Sequence, residues 1–103
     1  MNKTLSLLTI CRKAGKLELG MDPVKDVCNS RKACCVLVAK DISLKSLKEI
    51  KYVCKREDIK IFTLDATIDD VWGCLGKRAG ILGVVDKGFA KKLSTMLEPV
   101  INE

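Results

Sequence analysis

The sequence contains no histidine, and this absence excludes several kinds of site. A histidine general base, a Ser-His-Asp triad and a histidine-ligated zinc are all impossible. The stretch "GCLGKRAG" is not a phosphate-binding P-loop, because its glycine spacing differs and Arg78 follows Lys77 where Ser or Thr is required. A paired-carboxylate or nucleophile-elbow signature is also missing. The chain is therefore predicted to bind a partner without catalysis, metal or nucleotide cofactor.

Aromatic residues and long apolar runs are scarce as well. The four aromatics are Tyr52, Phe62, Trp72 and Phe89, and each fits a helix or strand position that faces the core. Base stacking along a single strand is therefore not expected. The apolar run Leu5 to Cys11 is interrupted by Ser6 and Thr9, too short for a bilayer span and without a signal-cleavage site. No membrane partner and no export are predicted.

Six cysteines are present, but their spacing does not indicate a metal or disulfide framework. No C-x-x-C occurs, and Cys34 and Cys35 lie in the apolar run "ACCVLVA", where cysteine behaves as a small hydrophobe. We predict buried, reduced thiols and a cytoplasmic location. A thiol switch at Cys34 and Cys35 is an open alternative, and it requires rapid alkylation of the native protein.

The charge is strongly uneven along the chain. The formal net charge is +6; residues 1–60 carry fourteen Lys and Arg against seven Asp and Glu, whereas residues 61–103 carry five against six. Cationic surfaces bind phosphate backbones by releasing counterions, so a polyanion is the expected partner. A basic protein without such a partner is the alternative.

Apolar periodicity predicts alternating helices and strands. The first predicted helix has Leu5, Leu8, Ile10 and Cys11 on its inward face and ends at Gly15, and the second runs from Asp22 (N-cap) and Pro23 to about Ser30. The third is "DISLKSLKEIKYVCKRED", with Leu44, Leu47, Ile50 and Cys54 on its inward face. The last two are "IDDVWGCLG", capped by Thr67, and "KGFAKKLSTMLEPV". The predicted extended pieces are "KLEL", "ACCVLVA", "KIFTL" and "GILGVVD". This alternation predicts one domain over residues 1–103, a three-layer α-β-α sandwich with a central mixed sheet of about four strands.

Cations and glycines recur together in the predicted loops. The loop segments are "RKAGK" and "LGMD", "AKDIS", and "GKRAGILG". Glycine allows a ligand to approach the backbone, and helix N-termini offer free N–H groups to phosphate oxygens. We therefore predict an anion-binding rim that includes Lys13, Lys16, Lys40 and Arg78, with structured RNA as the ligand that fits best. Asp22, Asp26 and Asp41 could form an acidic cluster, although capping is the commoner use of each.

The order of these motifs resembles a known family. "LLTICRKAGKLELG", "ACCVLVAKDIS" and "VWGCLGKRAGILGVVDKGFAKKL" are similar to the ribosomal L7Ae and L30e superfamily of kink-turn RNA-binding proteins, and most similar to its small bacterial members. The resemblance implies the sandwich fold and RNA binding through three loops. Together with the cationic rim, it gives these candidate RNA-binding residues: Lys13, Lys16, Gly20, Met21, Asp22, Lys25, Lys40, Asp41, Arg78, Gly80 and Ile81.

The motif that grips kink-turns is altered in this chain. The family pattern G-x-N-E-x-x-K corresponds here to "GMDPVKD", with Asp22 in place of Asn, Pro23 in place of Glu and Asp26 in place of Lys. Lys25 stands one residue early, which turns it by about 100° around a helix. We predict a monomer that binds ribosomal or other kink-turn-like structured RNA with weakened or altered kink-turn specificity. A protein-interaction module that has lost RNA binding is the alternative.

Overall fold

The computed structural model describes residues 2–100, which form five helices and one five-stranded sheet. Along the chain the elements are α1 (Lys3–Lys13), β1 (Leu17–Leu19), α2 (Met21–Asn29), β2 (Cys35–Ala39), α3 (Leu44–Glu57), β3 (Ile61–Leu64), α4 (Ile68–Leu75), β4 (Ile81–Val84), α5 (Lys87–Ser94) and β5 (Glu98–Pro99). The strand order is β1-β4-β2-β3-β5. Strands β2 and β3 are parallel, and the other neighbours are antiparallel. The predicted mixed sheet is confirmed, with five strands rather than about four.

Strand β2 shows why the central strands are continuous apolar runs. Its side chains alternate between two cores: Cys35 and Leu37 pack with α1, α4 and α5, whereas Val36 and Val38 pack with α2 and α3. Successive strand residues point to opposite faces, so a strand covered on both faces must be apolar throughout. The three-layer sandwich is therefore confirmed.

The last predicted helix is too long. Helix α5 ends at Ser94, and the chain then turns so that Glu98 and Pro99 pair with β3. Pro99 has no N–H to continue a helix, but an edge strand tolerates it. The side chain of Leu97 is still buried. The apolar spacing predicted a continuing helix, but a turn and a short strand follow Ser94 and still bury Leu97.

Other local predictions differ from the structure at exposed positions. Helix α2 starts at Met21 with Gly20 as its N-cap, so Asp22 lies in the first turn and does not cap the helix. Leu44 is 84% exposed, because it is the first residue of α3, before the first turn reaches the core. Ile10 is exposed, and so are Tyr52 at 68% and Trp72 at 55%, contrary to the core positions predicted for them.

Strand directions place most helix starts at one end of the sheet. Strands β1, β2 and β3 end, and β4 begins, at an edge that we call the loop edge, formed by residues 20–21, 40–43, 66–68 and 77–81. The opposite end, the far edge, comprises residues 14–16, 30–34, 58–60 and 85–86. No helix within residues 2–100 is long and apolar enough to cross a membrane.

Candidate nucleic-acid interface

A groove of about 360 Å³ joins three loops at the loop edge. Its lining residues come from the starts of α2 and α4, from the loop that follows β2 together with the first turn of α3, and from the loop that precedes β4: Gly20, Met21, Asp41, Ile42, Ser43, Ser46, Ile68, Arg78, Ala79, Gly80 and Ile81. Six of the eleven predicted residues lie in this lining. The three loops singled out by their cations and glycines therefore do meet, as expected for ligand sites at strand ends in such sheets.

Helix α2 presents the least protected N-terminus at this groove. Its N-cap is Gly20, which has φ 102° and ψ 162°, a conformation that is nearly restricted to glycine. Within residues 2–100 no side chain caps the helix. Pro23 has no N–H, and the N–H of Val24 already donates to the carbonyl of Gly20 at 3.1 Å. The N–H groups of Met21 and Asp22 are thus the donors that this helix start can offer to an anion.

Helices α3 and α4 also begin at the groove, but side chains cap them. The hydroxyl of Ser43 accepts from the N–H of Ser46 at 3.2 Å. Thr67 and Asp70 form a reciprocal capping box, as the sequence indicated for Thr67, and these hydrogen bonds lower the pKa of the Asp70 carboxyl. Three helix N-termini, each with a partial positive charge, therefore converge on one groove.

Asp41 has a structural role at the same place. Its carboxylate accepts a hydrogen bond from the N–H of Ile68 at 2.9 Å, which ties the loop after β2 to the start of α4. Gly80 allows this close packing, since a Cβ there would lie 3.3 Å from the Cδ1 of Ile68. A separate acidic cluster of Asp22, Asp26 and Asp41 is not formed: no group of three or more metal-ligating side chains occurs among the described residues.

Lys77 is a cation beside the groove that sequence reasoning missed. Its ammonium donates to the carbonyl of Leu19 at 3.2 Å, and it lies 3.8 Å from where a Cβ on Gly20 would stand. The charge is therefore held beside the uncapped start of α2. The quoted "GKRAGILG" contained this lysine, but only pairing between β1 and β4 brings it to Gly20.

Arg78 lies at the outer side of the groove and has two partners on α4. Its guanidinium forms an ion pair with Asp69 and lies 5.7 Å from the ring centroid of Trp72. Both ion-paired side chains are more than half exposed, so the pair contributes little to stability. A phosphate can therefore compete for this guanidinium at low cost.

Two other predicted cations, Lys25 and Lys40, are placed differently. Lys25, which lies one residue before the lysine position of the family pattern, forms an ion pair with Glu49 of α3. Lys40 is exposed in the loop after β2, and its N–H donates to the carbonyl of Ala66 at 3.0 Å. Asp22 and Asp26 are exposed on α2. Lys25, the lysine of the motif that the sequence retains, is therefore paired with Glu49 of the same chain, whereas the carboxylates of Asp22 and Asp26 are exposed to solvent.

Lys13 and Lys16 do not share the groove. The carbonyl of Lys16 accepts from the N–H of Val85, whereas Gly20, at the other end of β1, donates to the carbonyl of Ile81. The prediction of one rim shared by Lys13, Lys16, Lys40 and Arg78 is therefore wrong in its geometry. Lys13 lies in the last turn of α1, where a cation stabilises the helix C-terminus.

The cysteines are free thiols, and four of the six are buried. Cys34 and Cys74 are partly exposed, so the prediction of buried thiols holds for the other four. Burial, with smaller contributions from Cys34 and Cys11, raises the pKa of Cys35 to about 12. A thiol with this pKa is almost wholly protonated near neutral pH, which argues against Cys35 as a reactive switch.

Comparisons with known proteins agree with this architecture. Residues 2–94 match the ribosomal protein L7Ae/L30e/S12e/Gadd45 family. The chain is 32% identical over 97 residues to the RNA-binding protein YlxQ of Enterococcus faecium, which covers 93% of this chain and 92% of that protein. A solved structure of a protein with unknown function from Bacillus halodurans C shares the fold, with a TM-score of 0.85 and 24% identity over 93% of this chain and 97% of that one. The chain therefore belongs to the ribosomal protein L7Ae/L30e/S12e/Gadd45 family.

Proposed function

We propose that this protein binds structured RNA through the groove at the loop edge and acts as a ribosomal-protein-like binding domain, not as an enzyme. The observation that carries the proposal is the convergence of three helix N-termini on a groove beside Lys77 and Arg78. Helix N-termini and cations are the two features that bind phosphate oxygens most readily. Family membership and the RNA-binding relative from Enterococcus faecium support RNA as the anion.

Structured RNA fits this surface better than an extended single strand. Single-strand binders stack successive bases on several aromatic rings along a channel. Among residues 2–100 the exposed aromatics are Tyr52 and Trp72, which lie on different helices. A groove built from backbone N–H groups and cations suits recognition of shape and phosphates. Ribosomal RNA and kink-turn-like RNA are the ligands we infer.

We further propose that recognition of kink-turns is weakened. Asp22 is an exposed carboxylate in the first turn of α2, next to the donors offered by Met21 and Asp22, and the exposed Asp26 follows one turn later. A carboxylate near a phosphate repels it, and Pro23 removes one N–H from the same turn. The pairing of Lys25 with Glu49 withdraws the remaining lysine of the motif. All three effects act against a tight grip on a kinked backbone.

Restoring the family residues tests this proposal. The triple change Asp22→Asn, Pro23→Glu and Asp26→Lys should tighten binding to a standard kink-turn at least tenfold, because each recovered contact contributes on the order of 1–3 kcal/mol. The helix should persist, since proline is favoured but not required in a first turn. Affinity for the kink-turn and for an unkinked duplex of equal length should be measured by titration with both proteins.

A charge-matched variant distinguishes specific contacts with the kink-turn from nonspecific electrostatic attraction to RNA. The triple change raises the net charge by two, as does Glu98→Lys in the exposed strand β5. Glu98→Lys should strengthen binding to both RNAs by the same small factor. Strong preference of the unmodified protein for the kink-turn, or equal gains from both variants, would overturn the proposed weakening.

A protein-interaction module is the second candidate function. The observation that favours it is the mixture at the groove of carboxylates, Asp41 and Asp69, with the half-buried apolar side chains of Ile42 and Ile68. A gel shift with ribosomal RNA fragments at low and high salt, set beside a pull-down of protein partners, discriminates the two. RNA binding that weakens with salt supports the first function; capture of a protein through the groove without any RNA shift supports the second. The cytoplasmic location and the monomeric state stay predictions.

A further inference from the structure

The outer side of α3 is strongly cationic. This helix carries five Lys and Arg against two Glu, more cations than any other helix within residues 2–100. Three of its lysines and its tyrosine are exposed and follow one another at intervals of three or four residues, so they lie on one side of the helix: Lys45, Lys48, Tyr52 and Lys55. We call this surface the α3 face. It is about 15 Å long, because a helix rises about 1.5 Å per residue.

The lysines of the α3 face have no carboxylate partner in the described part of the chain. The two carboxylates of the helix are engaged elsewhere: Glu49 pairs with Lys25 of α2, and Glu57 accepts a hydrogen bond from Arg56 at 3.0 Å. No ion pair within residues 2–100 involves a lysine of the α3 face. The face can therefore neutralise an external anion without breaking an internal contact.

Helix α2 lies beside α3 but has the opposite charge on its exposed side. Both helices pack on the same face of the sheet, and both begin at the loop edge and end at the far edge. The exposed side of α2 carries Asp22 and Asp26. A phosphate backbone that leaves the groove is therefore repelled over α2 and attracted over α3. Ser43 and Ser46, at the start of α3, line the groove, so the α3 face continues from it.

We propose that the α3 face binds the phosphate backbone of an RNA duplex that extends from the groove toward the far edge, an inference that rests on the RNA-binding function proposed above. Duplex RNA is recognised through its shape, its phosphates and its 2′-hydroxyls. The lysines supply cations for the phosphates. The hydroxyl of Tyr52, which is 68% exposed, can donate to a phosphate or pair with a 2′-hydroxyl.

Continuity with the groove favours a duplex over an acidic protein as the occupant of the α3 face. Lysines alone attract any anionic surface, so charge does not distinguish the two partners. A duplex seated at the loop edge, however, must pass over one of the two helices or project into solvent. Of these two helices, only α3 offers unpaired cations along its exposed side. The groove and the α3 face therefore fit one continuous ligand.

The experiment compares two fluorescein-labelled RNA hairpins that share one loop and have stems of about four and about twelve base pairs. A duplex has about 3 Å of axis per base pair, so only the long stem can occupy the groove and also cover the α3 face. By fluorescence anisotropy, the unmodified protein should bind the long hairpin about tenfold more tightly than the short one. Lys48→Gln with Lys55→Gln should remove most of this difference and make the salt slope for the long hairpin shallower by about two. Affinity for the short hairpin should stay within about twofold.

A matched control removes the same charge from the opposite face of the sheet. Lys91 and Lys92 are exposed on α5, which packs in the other core, and Lys91→Gln with Lys92→Gln should reduce affinity for the long hairpin less than about threefold. Equal losses from the two pairs would mean nonspecific attraction and would overturn the α3 face as a binding surface. Circular dichroism should confirm that each variant is folded.

The two hairpins also separate this inference from the proposed function. Equal affinity of the unmodified protein for both hairpins would overturn the duplex contact while leaving RNA binding at the groove intact. Unchanged affinity for the long hairpin in Lys48→Gln with Lys55→Gln would likewise exclude a duplex on the α3 face and favour an acidic protein there. Failure of both hairpins to bind would overturn the proposed function and the duplex contact together.

Discussion

The loop edge and the far edge of the sheet differ in backbone polarity more than in number of cations. The loop-edge segments carry Lys40, Lys77 and Arg78, whereas the far-edge segments carry Lys16, Arg31, Lys32 and Lys60. Helices α2, α3 and α4 begin at the loop edge, where α4 also ends, whereas α1, α2 and α3 end at the far edge, where α5 is the only helix of residues 2–100 that begins. Helix starts attract anions and helix ends repel them. A count of charged residues therefore does not locate the site, but the direction of the helices does.

Removing a pair of cations at each edge should give the largest difference in RNA affinity between the two edges. Lys40→Gln with Arg78→Gln should weaken RNA binding roughly a hundredfold, since each charge-assisted hydrogen bond contributes about 1.5–3 kcal/mol. The slope of log affinity against log salt should become shallower by about two. The change of equal charge at the other end, Lys13→Gln with Lys16→Gln, should reduce affinity less than about threefold. Affinities are to be measured from 50 mM to 200 mM salt.

Equal losses from the two pairs would show that RNA contacts both ends of the molecule. In that case Lys13 and Lys16 would be RNA ligands, as the sequence alone predicts. A flat salt dependence in the unmodified protein would contradict phosphate binding at either edge.

Two glycines with positive φ offer a second contrast, in stability as well as binding. Gly20 has φ 102° and ψ 162°, so Gly20→Ala should destabilise the fold by about 2–3 kcal/mol, the cost of a region nearly restricted to glycine. Gly15 has φ 73°, in the left-handed region, and Gly15→Ala should cost about 1–2 kcal/mol. Within residues 2–100 no atom lies within 4 Å of a Cβ built at Gly15, so crowding does not add to that cost.

Urea unfolding measures both changes, and RNA titration well below the melting temperature distinguishes their positions. Gly20→Ala should also weaken RNA binding, because it shifts the start of α2, whereas Gly15→Ala should not. If both variants bind RNA as the unmodified protein does, the start of α2 is not part of the interface.

The smallest contrast concerns the acidic partners of two arginines. Asp69→Asn frees Arg78 and removes a negative charge beside the groove, so RNA affinity should rise about threefold, within the range expected for one exposed ion pair. Glu57→Gln removes the same charge from Arg56 near the far edge and should leave affinity unchanged. Fluorescence anisotropy at low salt resolves a threefold change. An equal gain in RNA affinity from both variants would mean that the change in net charge alone causes the effect.

The groove residues could be predicted only in part from the sequence. Glycines and cations marked the loops that contain Gly20, Asp41 and Gly80, because loops of this composition bind ligands through their backbone. The same rule wrongly grouped Lys16 with them, and it gave no weight to Lys77. Lys16 and Gly20 are four positions apart in sequence, but they stand at opposite ends of β1. The distance between the two ends of β1 cannot be predicted from local composition.

What the sequence by itself determined is the set of elements that local chemistry specifies. The apolar run of β2 required cover on both faces, and Thr67 marked the start of α4, because burial pattern and capping depend on neighbouring residues. Tertiary structure alone decided the strand order, the fifth strand at Glu98 and Pro99, and the exposure of Trp72 beside Arg78. These features depend on hydrogen bonds and contacts between residues distant in the chain, which periodicity over a few turns cannot record.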